Sequence, residues 1–135
     1  MPFSTTHPKL EWLGEAPDGV VWWDLLEGFS YTTPGGILIE VPASLHTDLA
    51  SIPKIVQNVL SPAGPYMPAA LVHDLLYARH RDGSRIWTRQ QADDMLMAGM
   101  IELGVGWWTR QAVYRAVRLG GGGAWKRAPR PLADA

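Results

Sequence analysis

Cysteine is absent from this sequence of 135 residues, and no long uninterrupted apolar run occurs in it. The lack of cysteine excludes a disulfide framework and thiolate ligands for a metal, and it leaves the redox compartment undetermined. The lack of an apolar run of about 18 residues predicts that no segment spans a membrane. The first residues also lack a basic stretch followed by an apolar core, so we expect no secretory signal and synthesis in the cytoplasm.

The two halves of the chain carry opposite charge, although the whole carries a net charge of only −1. Residues 1–78 contain two basic and eight acidic side chains, whereas residues 79–135 contain ten basic and five acidic ones. Such polarity favours docking to a charged neighbour or head-to-tail contact between copies. The basic residues are scattered, and no strip interleaves them with aromatic residues, so the sequence carries no clear nucleic-acid signature.

Tryptophan is abundant, with seven residues in the chain. Successive side chains of a strand point to opposite faces, so adjacent tryptophans in a strand cannot both enter one core. One member of each adjacent pair is therefore expected at a second surface, which could be an interface, a groove or a thin layer under a loop. Because tryptophan is enriched in protein interfaces, the interface candidates are Trp22, Trp23, Trp107, Trp108 and Trp125.

The N-terminal half reads as a small antiparallel sheet. Residues 20–33 are β-prone with a break at 27–28, and residues 37–41 form a second β-prone run after the turn Pro34-Gly35-Gly36. Two such runs separated by a turn predict a hairpin. A loop with a short helical turn is expected over 42–53, and a short helix over 54–60.

The C-terminal half reads as about three helices. The first runs from about Pro68 to Arg79, and the second follows Thr88, which forms a capping-box pattern with Gln91. The third runs from Thr109 to Gly120. The predicted fold is α+β, with the helices packed on the sheet. A chain of this length predicts one domain, divided into an irregular arm 1–19, a core 20–119 and a Gly/Pro-rich tail 120–135.

Polar side chains in otherwise apolar surroundings are the candidate site. His73 and Tyr77 share one side of the first helix, and Asp74 lies about 100° round from His73. One imidazole and several carboxylates suffice for a divalent metal, which could activate water for hydrolysis. The candidate metal ligands are Asp48, His73, Asp74 and Asp93, of which the first three are also the catalytic candidates, with Arg89 and Tyr77 in support.

The same residues also fit a purely structural role, and the sequence leaves both interpretations open. Asp48 could cap a turn, Asp93 could pair with Arg89 four residues earlier, and His73 could donate to a backbone carbonyl. No compact metal-ligand motif is present, and no cysteine or GxSxG elbow supports a nucleophile.

Four segments together resemble a phage and prophage family, domain of unknown function 1353. They are VPASLHTDLASIP at 41–53, AALVHDLLY at 69–77, RQQAD at 89–93 and YRAVRLG at 114–120. Lys54 stands where the family tends to have arginine, and Ser44-Leu45 replaces the usual Gly-Phe. The resemblance implies a phage origin, and it places Asp48, His73, Asp74, Arg89 and Asp93 at the family's polar motif positions, in one cluster.

These observations leave three hypotheses. The first is a phage structural or assembly protein of the tail or neck, made in the host cytoplasm and carried in the virion, whose partners are other phage proteins or copies of itself. The second is a metal-dependent hydrolase of cell-wall or phosphoester substrates, using Asp48, His73, Asp74 and Asp93 with Tyr77 or His46 assisting. The third is an inhibitor of a host protein with the tryptophans as anchors. Only the second requires a cofactor, a divalent metal.

Overall fold

The computed structural model describes residues 2–15, 17, 21–43, 45–47, 65–82 and 85–126. Strands dominate the first half of this part of the chain and helices the second half, so the predicted α+β fold is confirmed. The elements in chain order are β1 (Leu10–Glu15), β2 (Val21–Leu25), β3 (Phe29–Thr32), β4 (Leu38–Val41), β5 (His46–Thr47), α1 (Met67–Arg79), β6 (Arg81–Asp82), β7 (Arg85–Ile86), α2 (Arg89–Glu102), α3 (Trp107–Gly120) and α4 (Gly122–Lys126).

The first sheet contains a strand that the sequence did not indicate. Strands β1, β2 and β5 pair in that order, and β1 and β2 are antiparallel with Trp12 opposite Trp23. The predicted irregular arm over residues 1–19 is therefore wrong between Leu10 and Glu15. This segment contains two glutamates and a glycine, residues of low β-propensity, so its conformation depends on pairing with β2 rather than on local preference.

The predicted hairpin is confirmed. Strands β3 and β4 pair antiparallel, with Phe29 opposite Val41 and Thr32 opposite Leu38. The expected break before this hairpin lies at residues 26–28. A Cβ atom on Gly28 would lie 2.9 Å from the carbonyl oxygen of Val41, so the close approach of the two chains requires glycine here.

Helix α1 is the centre of the molecule, since every residue from Met67 to Ala78 is buried. It begins with Pro68 in its first turn and ends at His80, which has a left-handed backbone with φ of 56°. Such a C-cap stops the helix while its N–H still bonds to the carbonyl of Leu76. A helix buried on all sides has core positions all round, so its polar residues must find partners inside the protein.

Helices α2 and α3 follow the predicted pattern, and α4 does not. Thr88 caps α2 and forms the expected capping box with Gln91, while α3 begins at Trp107, two residues before the predicted start. The predicted tail from residue 120 is wrong in its first part, because Gly122–Lys126 is helical. The rest of that tail and the helix expected over 54–60 lie outside the described residues. No described helix is both long and apolar enough to cross a membrane.

Candidate functional site

The two polar neighbours on α1 point toward different parts of the molecule. His73 and Asp74 are both 0% exposed. His73 Nε2 lies 2.7 Å from Oδ1 of Asp93 on α2. Asp74 instead accepts a hydrogen bond from the hydroxyl of Thr47 on β5. The angle of about 100° between successive residues of a helix separates them, so α1 is tied by His73 to α2 and by Asp74 to the first sheet.

Asp93 is the hub of the buried polar groups, and both of its carboxylate oxygens are engaged. Oδ1 accepts from His73 Nε2 at 2.7 Å and from the Tyr77 hydroxyl at 2.6 Å. Oδ2 accepts from the guanidinium of Arg118 on α3 at 2.6 Å. An ionised carboxylate only accepts hydrogen bonds, so Nε2 of His73 carries the proton in this arrangement. One side chain thereby joins three helices.

The ionisation of these groups follows from burial and from their contacts. Burial alone would raise the pKa of Asp93, but hydrogen bonds from His73, Tyr77 and Arg118 outweigh it and lower that pKa below its ordinary value of 3.8. Burial, followed by the bond to Asp93, raises the pKa of the Tyr77 phenol. The bond to Asp93 raises the pKa of Arg118. Asp93 is therefore an anion at neutral pH, and Tyr77 is a neutral donor.

The expected ion pair between Arg89 and Asp93 is not formed within the described residues. Arg89 Nε donates to the Tyr77 hydroxyl at 3.2 Å, and its terminal nitrogen donates to the carbonyls of Val117 and Arg118 at 3.0 and 2.7 Å. Carbonyls in the last turn of a helix lack partners within the helix, so a cation placed there stabilises the end of α3. Arg89 supports the cluster by fixing Tyr77 and α3.

Arg118 is the functional partner that spacing along one helix did not reveal. It takes the place beside Asp93 that the i, i+4 rule had suggested for Arg89. A signal was nevertheless present, since Arg118 lies in the segment 114–120 that contributes to the family resemblance. The contact depends on the packing of α3 against α2, which spacing along one helix does not show.

The short helix α4 closes one side of the cluster. The Trp125 ring stacks on His80 at 3.6 Å between ring centroids and meets Tyr77 edge-on at 5.2 Å. His80 Nε2 lies 3.0 Å from the carbonyl oxygen of Trp125. A Cβ atom on Gly121 would lie 2.8 Å from the Tyr77 hydroxyl, so this approach also requires glycine. Trp125 on α4 and Gly121 just before that helix thus both lie against Tyr77.

The tryptophan candidates divide into two groups. Trp107 and Trp108 are exposed and contact each other edge-on, with ring centroids 4.7 Å apart. Trp23 and Trp125 are half-buried and pack against the core. Trp22 is also half-buried. The adjacent pair on α3 therefore presents the larger aromatic surface.

The candidate metal ligands are only partly placed. Asp48 lies outside the described residues, and for His46 only the backbone in β5 is described. His73 and Asp93 contact each other, whereas Asp74 bonds to Thr47. In the part of the chain for which positions are described, no three histidine, aspartate or glutamate side chains form a group that could hold a metal ion.

The fold and the cluster define an α+β domain built on a buried helix, with the buried carboxylate of Asp93 as the hub of its polar contacts. Residues 23–117 match the family described as "Protein of unknown function (DUF1353)", and the chain belongs to that family. No curated protein and no solved structure matches the chain.

Proposed function

We propose that this chain is a structural or assembly protein of a bacteriophage, a tail or neck component or accessory that acts through protein contacts. The observation that carries the proposal is the burial of Asp93 among three hydrogen-bond donors from α1 and α3. Its two oxygens accept three hydrogen bonds inside a fully buried setting, which suits a group that holds helices together. A general base must lie within hydrogen-bond reach of a substrate, whereas Asp93 is 0% exposed.

Two further features support contacts with other proteins. Large apolar side chains stand on the surface of α3, where Trp107 and Trp108 are 50% and 82% exposed. Tryptophan is the side chain most enriched among residues that dominate binding energy. The motif resemblance supplies the phage context of the proposal.

The test is whether the chain is part of the particle. A prophage that carries the gene is induced, particles are purified on a density gradient, and their proteins are quantified by mass spectrometry. We expect a fixed copy number per particle, or a particle defect when the gene is deleted. Intact, infectious particles that neither contain the chain nor need it would overturn the proposal.

A metal-dependent hydrolase is the alternative, and one contact favours it. The hydroxyl of Thr47 donates to Asp74, so the residue immediately before Asp48 lies against α1 next to His73. The metal ligands of this alternative would be Asp48, His73, Asp74 and Asp93. Elemental analysis of the purified protein, repeated on Asp48→Ala and Asp74→Ala, tests it: stoichiometric metal lost in both variants would support the alternative, and wild-type protein without metal would refute it.

A further inference from the structure

Two described surfaces of the chain carry opposite charge. The first is the acidic hairpin, β1 and β2, which contains Glu11, Glu15 and Asp24 and no basic residue. The second is the basic helix, α3, which contains Arg110, Arg115 and Arg118 and no acidic residue. This hairpin and this helix therefore share the charge signs of the two halves of the sequence, with three of the eight acidic residues of the first half and three of the ten basic residues of the second.

The acidic hairpin presents an open edge. Strand β1 is the outer strand of its sheet, and Glu11 and Glu15 are exposed on it. Trp12 between them is 62% exposed. Lys9 precedes the strand, but its charge is offset by Glu27 at 3.0 Å. In the register with β2, Trp12 and Glu15 lie on one face of this edge strand and Glu11 lies on the other. An aromatic side chain and two anions are thus distributed along an edge whose backbone groups can accept another chain.

The basic helix presents an outward stripe. Trp108, Ala112, Arg115 and Leu119 recur at helical spacing on one face, and all four are exposed. The opposite face buries Val113 and Val117 against α2. Trp108 and Leu119 are 82% and 89% exposed, values that are unusual for large apolar side chains. Arg118 is engaged by Asp93, so Arg115 is the exposed cation at the centre of the stripe.

We propose that copies of this chain associate head to tail, with the acidic hairpin of one copy docked on the basic helix of the next. The inference rests on the proposed structural role, and it names the partner as a second copy. Charge complementarity selects this arrangement, since one chain carries both members of the pair. Within one chain, each surface belongs to an element with its own neighbours: β1 pairs with β2, and α3 packs on α2 and α4.

Symmetric pairing of like surfaces fits the residues less well. Two β1 edges brought together would place the exposed Glu11 and Glu15 of both copies along one contact, and juxtaposed like charges disfavour association. Two α3 stripes facing each other would bring the Arg115 side chains together. A contact between unlike surfaces leaves one of each surface open at the ends, so it builds rings or open filaments.

The test is sedimentation velocity on the full chain at concentrations up to the submillimolar range. Wild type is expected to form species larger than a dimer as concentration rises. One variant changes the hairpin, Glu11→Lys with Glu15→Lys, and one changes the helix, Trp108→Ala with Arg115→Glu. Each is expected to weaken self-association about tenfold or more, because each places like charges in the contact. Arg85→Glu reverses an exposed charge outside both surfaces and is the matched control.

Mixing the two variants gives the decisive result. The hairpin variant keeps a wild-type helix and the helix variant keeps a wild-type hairpin, so the mixture should associate more strongly than either variant alone. Unchanged melting temperatures show that both variants are folded. A monomeric wild type, a mixture no more associated than its components, or an equal loss in Arg85→Glu would overturn the proposal.

The self-association experiment and the particle test can fail independently of each other. A monomeric chain that is nevertheless found in particles would overturn head-to-tail association and leave the structural role intact. A self-associating chain absent from particles and dispensable for them would support the contact and overturn the particle role.

Discussion

Replacing Asp93 with asparagine should remove a large fraction of the stability of this protein. Asparagine keeps the volume of the side chain but places an NH₂ group where one oxygen was. Donors lie on both sides, His73 with Tyr77 on one and Arg118 on the other, so in either orientation the amide nitrogen faces a donor. Breaking a buried charged pair in this way costs about 3–5 kcal/mol.

The total stability of a domain is about 5–15 kcal/mol, so for many domains this loss is a third or more of it. For a chain of this size it corresponds to a fall in Tm of about 10–20 °C. The assay is urea denaturation with linear extrapolation, and the control is Asp94→Asn. Asp94 is exposed and accepts from Gln90 and Tyr114, so its replacement should change stability by only about 0.5 kcal/mol.

The difference in the free energy of unfolding between wild type and Asp93→Asn should also depend on pH. The pKa of Asp93 is lower in the folded protein than the ordinary value of 3.8, so its contribution is complete above that value and is lost as pH falls through the folded pKa. This difference in stability should therefore be largest at neutral pH and should decrease as the pH is lowered. A loss no greater than that of Asp94→Asn, or a gap that widens in acid, would refute the role of Asp93 as the hub.

Three further predictions follow from the same contacts. Tyr77→Phe should cost about 1.5–3 kcal/mol because it removes a hydrogen bond to a charged group. Tyr31→Phe should cost less than about 1 kcal/mol, because the buried Tyr31 hydroxyl has no hydrogen-bond partner among the described residues, and equal losses in the two variants would contradict this. Gly121→Ala should cost about 1–3 kcal/mol, since its Cβ would lie 2.6 Å from the Val117 carbonyl oxygen. In the same denaturation assay Gly122→Ala should be neutral or stabilising, because its Cβ would lie 4.0 Å from the guanidinium carbon of Arg89. Near-ultraviolet titration of the folded protein should show every phenol ionising above its ordinary pKa of 10.0, because burial raises all four tyrosine pKa values and that of Tyr31 reaches about 12. The stability that these groups contribute is then lost as pH rises through the folded values. Folded protein with a tyrosine titrating at 10 would contradict the last.

The hairpin β3–β4 and the three long helices were predictable because their signals are local. A turn between two β-prone runs and a capping box at Thr88 and Gln91 specify an element from a few neighbouring residues. Strand β1 and helix α4 were missed because their signals are not local. The first depends on pairing with β2, and the second is a glycine-rich segment held by the ring of Trp125 against His80.

The contacts around Asp93 were predictable only in part. His73, Tyr77 and Asp93 were expected together and lie in contact. The partner predicted for the Asp93 carboxylate was wrong. Spacing within one helix favoured Arg89, whereas the packing of α3 on α2 brings Arg118 to that position. Contacts between helices that are distant in sequence decide such pairs, and helical periodicity carries no information about them.

The most direct test of a structural polar cluster is a metal analysis combined with a thermal melt of the purified protein before and after chelator. A hydrogen-bonded hub centred on Asp93 predicts no stoichiometric metal and an unchanged Tm. One metal ion per chain, with a lower Tm after its removal and loss of the ion in Asp93→Ala, would contradict the account and identify the cluster as a metal site.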